Sequence, residues 1–167
     1  MPRPTTFDAT GIITALHHHE VQFVVIGGLA AAANGVVWAT FDVDVIVELS
    51  NANLLALAEA LDDLAAEYHT PHNPPIRPDL KRLSSLPGPQ LFRTRLGRLD
   101  VLKEAGGETY ESLLAEAHTA VLEGFPTRYA GLRALLRMKR AASRRKDTEG
   151  IRLIEEALRE ARKPDEE

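Results

Sequence analysis

Asp42 and Asp44 stand two residues apart in Phe41-Asp42-Val43-Asp44-Val45-Ile46-Val47-Glu48, a β-branched, alternating run that predicts a strand. Side chains alternate along a strand, so the two carboxylates share a face, with α-carbons about 7 Å apart. Such a pair repels itself, and in a cleft that repulsion raises a pKa or calls in a cation. Hard oxygen donors of this kind suit Mg²⁺ or Mn²⁺. A third carboxylate, Asp100, lies between Leu99 and Val101 on the second arm of a predicted hairpin, 90–95 and 98–103, that turns at Leu96-Gly97. If that arm pairs beside the first strand, three convergent aspartates could hold two divalent ions. Two ions clamp the attacking and leaving oxygens of a phosphoryl or nucleotidyl transfer. An isolated Asp-x-Asp is usually a solvated strand face. The pair gains weight from Gly27-Gly28, where missing side chains let backbone N–H groups approach a phosphate at the start of a short helix, 29–33.

Positioning these residues requires a particular set of elements. Phe7, Ile12, Ile13 and Leu16 recur at helical spacing over 6–20 and predict a first helix. Gln22-Phe23-Val24-Val25-Ile26 reads as a buried strand entering a tight turn at the diglycine, and Asn34-Gly35 ends the short helix beyond it. After Ser50-Asn51, which can cap, Leu54, Leu55, Leu57, Ala58, Leu61 and Leu64 predict an amphipathic helix to about Glu67. Pro71, Pro74, Pro75, Pro78, Pro87 and Pro89 predict a long surface loop with room for one helical turn. Segments 118–122 and 127–130 could form a smaller hairpin around Gly124-Phe125-Pro126. Residues 132–162 are helical with a break near 144–147, and the tail 163–167 reads as frayed.

Composition bounds the possibilities. A length of 167 residues, 44% hydrophobic and 26% charged, describes one soluble globular domain. With 24 acidic against 20 basic residues, a net charge of -4 argues against a surface that grips nucleic acid as a whole, so any anion site is local. The absence of cysteine excludes disulfides, thiolate nucleophiles and cysteine-ligated metal. No apolar stretch approaches the roughly 20 residues that span a bilayer. Met1-Pro2-Arg3-Pro4 precede no hydrophobic signal core, and the expected location is the cytoplasm. Neither a nucleophilic triad nor a dinucleotide fingerprint can be assembled, because Gly27-Gly28 and Gly106-Gly107 both lack the further glycine spacing.

Val24-Val25-Ile26-Gly27-Gly28-Leu29-Ala30, then Asn34-Gly35, then 39–47 with its aspartate pair, resembles the nucleotidyltransferase superfamily with the polymerase-β-like fold. Gly97-Arg98-Leu99-Asp100-Val101-Leu102 looks like that superfamily's third-carboxylate strand. More narrowly, Leu136-Arg137-Met138-Lys139-Arg140-Ala141-Ala142 followed by Arg144-Arg145-Lys146-Asp147 is similar to the C-terminal signature of AbiEii-type bacterial proteins, a group that includes toxins of toxin–antitoxin pairs. The resemblance covers about Val21 to Leu158. It implies an α+β fold, a small mixed sheet flanked by helices with further helices at the C-terminus. The single domain, 1–167, would have its core at about 21–104 and its C-terminal hairpin and helical part at about 108–163. It also implies binding of a nucleoside triphosphate with Mg²⁺ or Mn²⁺ and transfer of the nucleotide to a hydroxyl of RNA or protein, with release of pyrophosphate. Gly27 and Gly28 would line the triphosphate, and Asp42 and Asp44 would ligate metal. Asp100 would complete the metal site or activate the acceptor. Lys139 and Lys146 would neutralise phosphate charge, with Asp147 orienting Lys146. An antitoxin protein would be a partner and a membrane would not.

Two positions depart from the superfamily pattern. Leu29 stands where a Ser or Thr commonly follows the diglycine, and Trp38 where an arginine often precedes the aspartate strand, so two phosphate partners are replaced. These departures motivate one alternative, a degenerate relative that serves as a binding or regulatory protein; the resemblance itself admits another, a small enzyme that modifies an antibiotic, as compact members of the superfamily do. Among the remaining features, His17-His18-His19 cannot chelate one ion from a helix, since neighbours point about 100° apart. They read as surface histidines at a helix end. His69 and His72, in or beside the proline-rich loop, could approach a substrate. Trp38 reads as core packing or a lid anchor, with stacking on a base as the functional option.

Overall fold

The computed structural model describes residues 6–70, 72–142 and 144–163. Residues 1–4 and 164–167, and Pro71 of the proline-rich segment, on which readings above rest, lie outside them. The first half runs α1 (Ala9–His18), β1 (Phe23–Ile26), α2 (Gly27–Ala33), β2 (Asp42–Val47), α3 (Asn51–Asp63) and β3 (Glu67–Tyr68). It continues through α4 (Leu80–Ser85), β4 (Gln90–Thr94) and β5 (Gly97–Leu102) to the short ribbon of β6 (Glu104–Ala105) and β7 (Glu108–Thr109). Then follow α5 (Tyr110–Leu114), β8 (His118–Leu122), β9 (Phe125–Tyr129), α6 (Leu132–Ala142), a 3₁₀ turn at Arg145–Asp147 and α7 (Thr148–Glu160).

Seven strands form one mixed sheet in the order β3-β4-β5-β2-β1-β9-β8. β2 runs antiparallel to β1 and parallel to β5, and β1 runs parallel to β9. Along β2 the residues alternate between half-exposed Asp42 and Asp44 and fully buried Val43 and Val45. α1 packs on α3 and against β2 and β5. The apolar stripe Ile12, Ile13 and Leu16 of α1 joins Leu54, Leu57 and Leu61 of α3 in one buried core with Phe92, Leu99 and Val101. Burying each such side chain stabilises the fold by about 1.5–3 kcal/mol. The sheet is thus anchored through one face, and the other face of β2 and β5 presents aspartates. This is the expected architecture, a mixed sheet flanked by helices.

Local chemistry explains most boundaries. The side chains of Asp8, Ser50 and Asp79 accept from the backbone N–H of Gly11, Asn53 and Arg82, capping α1, α3 and α4. α3 ends sooner than the apolar spacing predicts. Ala65 takes a positive φ of 50°, turning the chain so that Glu67 and Tyr68 pair with Arg93 and Phe92. The diglycine forms the first two residues of α2 instead of a separate turn. The short α5, with its Thr109–Ser112 capping box, and the β6–β7 ribbon have no periodic signal in the sequence.

Candidate active site

β2 and β5 lie side by side with Asp42 opposite Arg98 and Asp44 opposite Asp100, so the third carboxylate joins the face of the first two. One oxygen from each of Asp42, Asp44 and Asp100 falls within 4.8 Å of the others. Burial first, and then the charges of Asp42 and Asp100, push the Asp44 carboxyl up to about 8. Asp100 is raised as well, chiefly by burial and then by Asp42, while its hydrogen bond with Asp44 and the charges of Arg98 and His69 draw it back down. Oδ1 of Asp100 is buried and reaches no hydrogen-bond partner. Three hard oxygen donors, close, mutually repelling and one of them unsatisfied, fit Mg²⁺ or Mn²⁺.

The diglycine abuts this cluster. Ile26 pairs with Asp44, so Gly27 directly follows a residue beside the central carboxylate. Its φ is +67°, and a Cβ there would overlap the Asp44 carboxylate, so only glycine fits. At Gly28 a Cβ would sit 2.7 Å from Cδ1 of Trp38. The missing side chains therefore admit Asp44 and Trp38, a packing role that the phosphate reading alone did not foresee. No side chain caps α2, which leaves its first N–H groups available to another acceptor.

Trp38 connects the diglycine to the C-terminal helices. Its far edge meets Gly150, where any Cβ would overlap the ring. The Lys139 ammonium stands 4.7 Å from the ring centre. Lys139 also pairs with Asp147 at 3.2 Å, with only 19% and 14% of the two side chains exposed. Asp147 thus holds Lys139, whereas the sequence reading had it orient Lys146; the 3₁₀ turn at Arg145–Asp147 breaks the helix that would have set the two lysines on one face. Lys146 is exposed on that turn. Arg137, from the same basic run, pairs with Glu108 and Glu116, and Arg140 with Glu155.

Three residues near the carboxylates were not singled out as site residues from the sequence. The Thr40 hydroxyl reaches the Asp42 backbone oxygen at 3.0 Å and its carboxylate at 3.4 Å. Arg98 lies two residues before Asp100 on the same face, its Nη2 3.9 Å from Oδ1 of Asp100. Its parity with Asp100 was the available signal. Arg93 pairs with Arg98 across β4 and β5. His69, an option above, is close enough to act on the Asp100 charge. Of the other histidines, His17 stacks on Phe125 with ring centres 4.9 Å apart and His19 pairs with Asp63 at 3.1 Å.

No family model and no curated protein sequence matches the chain. Solved structures do. The antibiotic-resistance factor ANT(2'')-Ia, in solution, superposes with a TM-score of 0.58 at 17% identity over 88% of this chain and 80% of its own. Its crystal structure with adenylyl-2''-tobramycin gives 0.58 and 17% over 88% and 85%. TM1012 of Thermotoga maritima, assigned as a nucleotidyltransferase, gives 0.50 at 13% identity over 90% and 89%. The chain has the nucleotidyltransferase fold. Within that fold the three aspartates converge beside the diglycine, and no helix among the described residues is long and apolar enough to cross a membrane.

Proposed function

We propose that the protein is a divalent-metal-dependent nucleotidyltransferase that moves a nucleotide from a nucleoside triphosphate to a hydroxyl of RNA or protein. The observation that carries this reading is the convergence of Asp42, Asp44 and Asp100 beside the diglycine. Asp42, Asp44 and Asp100 would hold Mg²⁺ or Mn²⁺, which when bound supplies charge neutralisation at the phosphates and lowers the barrier to in-line displacement. The N–H groups at Gly27 and Gly28 face the triphosphate. Lys139, steadied by Asp147 and Trp38, brings positive charge to the same end, and Lys146 adds charge from the exposed turn. The acceptor hydroxyl loses its proton toward Asp100 as its oxygen bonds to the α-phosphorus and pyrophosphate leaves.

The alternative, a small antibiotic as acceptor, draws support from the likeness to ANT(2'')-Ia. The charge beyond Asp100 favours the first reading, because Arg93 and Arg98 lie abreast on that side and would repel a polycationic aminoglycoside. The C-terminal resemblance to AbiEii-type proteins supports a role as the toxin of a two-component module, acting in the cytoplasm and restrained by an antitoxin protein. The test is incubation with each α-labelled nucleoside triphosphate, Mg²⁺ and bacterial extract, with tobramycin in a parallel arm. Label enters RNA or protein, and Asp42→Asn with Asp44→Asn abolishes it. Label on tobramycin alone selects the antibiotic reading, and no label anywhere refutes both.

A further inference from the structure

Among the described residues, three side-chain atoms are buried without a hydrogen-bond partner: Nδ1 of His69, Nε of Arg98 and Oδ1 of Asp100. They lie in one patch. The His69 N–H donates to the Leu91 carbonyl at 2.8 Å, extending the β3–β4 ladder one residue past Tyr68. Leu91 stands opposite Asp100, Asp100 beside Asp44, and Asp44 opposite Ile26. A single row across the sheet therefore runs from the diglycine through Asp44 and Asp100 to Leu91 and His69. Arg98 occupies the next row on the same face, between Asp42 and Arg93.

Each buried polar atom left without a hydrogen bond costs about 1–3 kcal/mol, and native structures hold few of them. Their confinement to one side of the carboxylates marks where a ligand supplies the missing partners. The diglycine end of the row faces the nucleotide, so the His69 end is left for the group that attacks it. Two nitrogens and one carboxylate oxygen match a hydroxyl, which donates once and accepts twice.

We propose that His69, Arg98 and Asp100 form the acceptor subsite, with His69 as the residue that positions the attacking hydroxyl. Nδ1–H of His69 donates to the hydroxyl oxygen, Arg98 supplies a second donor beside it, and Oδ1 of Asp100 takes the proton. The new bond from that oxygen to the α-phosphorus forms as the bond to pyrophosphate breaks. This rests on the transferase reading.

The test compares the full chain with His69→Leu, which removes both ring nitrogens, His69→Asn, whose amide nitrogen reaches the Nδ1 position, and His69→Gln, whose amide reaches Nε2 instead. Acceptor pools are total bacterial RNA and, separately, total soluble protein, with α-labelled nucleoside triphosphate. Mn²⁺ binding is followed by titration calorimetry. Expected is a loss of transfer of about tenfold or more at limiting acceptor in His69→Leu and His69→Gln, with Mn²⁺ affinity and the KM for nucleotide unchanged, and recovery in His69→Asn. Wild-type transfer in His69→Leu overturns the subsite, as does an equal loss of Mn²⁺ binding, or Asn no better than Gln. Wild-type protein that labels nothing overturns the transferase reading and the subsite with it.

Discussion

Asp44→Asn in metal-free protein exposes the energetics of the carboxylate cluster. Asp44 is held at about 8 against an ordinary 3.8, mainly by burial and then by Asp42 and Asp100. A folded-state value above the unfolded one means that the stabilising form is the protonated one. Its contribution is complete below the unfolded value and is lost as pH rises through about 8. At about 1.4 kcal/mol per pH unit the ceiling is roughly 6 kcal/mol, and coupling to Asp100 and water entry reduce it to ~2 kcal/mol. Asparagine reproduces the shape and the hydrogen-bond donor of the protonated acid and never ionises. Thermal unfolding in chelator should therefore find the variant about 4–8 °C more stable near pH 8.5, with the gap shrinking steadily as pH falls toward 4. Millimolar Mn²⁺ then raises the wild-type midpoint and leaves the variant nearly unmoved. A gap independent of pH, or equal stabilisation of both proteins by Mn²⁺, would refute a buried, mutually repelling cation site.

Gly27→Ala combines a left-handed φ with overlap on the Asp44 carboxylate, so thermal unfolding should register a loss of about 1–3 kcal/mol and calorimetry a weaker Mn²⁺ site. Because Trp38 is the sole tryptophan and lies against Gly28 and Lys139, its fluorescence should change on titration with a nucleoside triphosphate and Mg²⁺. Lys139→Met should weaken that titration about tenfold or more, the worth of one charge-assisted hydrogen bond; an unchanged curve would remove Lys139 from the nucleotide side.

Period-two alternation at 41–48 and 98–103, and period-3.6 spacing in α1 and α3, are local properties of the chain, so the aspartates' shared faces and the main strands were legible without coordinates. The diglycine was legible as a special backbone position. What it accommodates was not, because the Asp44 and Trp38 contacts depend on strand pairing and on a loop that folds back. The same limit applies to α3, where apolar spacing continues past Asp63 but the Ala65 turn, and pairing of Glu67 with Arg93, end the helix.

The sequence alone determined that three carboxylates would stand on strands, since residue type and alternation are written in the chain, and its resemblance to the nucleotidyltransferase superfamily implied the mixed α+β architecture that presents them. Only the tertiary structure decided that β5 lies beside β2 in the register that puts Asp100 next to Asp44. It likewise decided that Asp147 holds Lys139 and that His69, 31 residues before Asp100 in the chain, ends the row that Asp100 joins. Strand order and register arise from contacts between distant segments, and no local spacing encodes them.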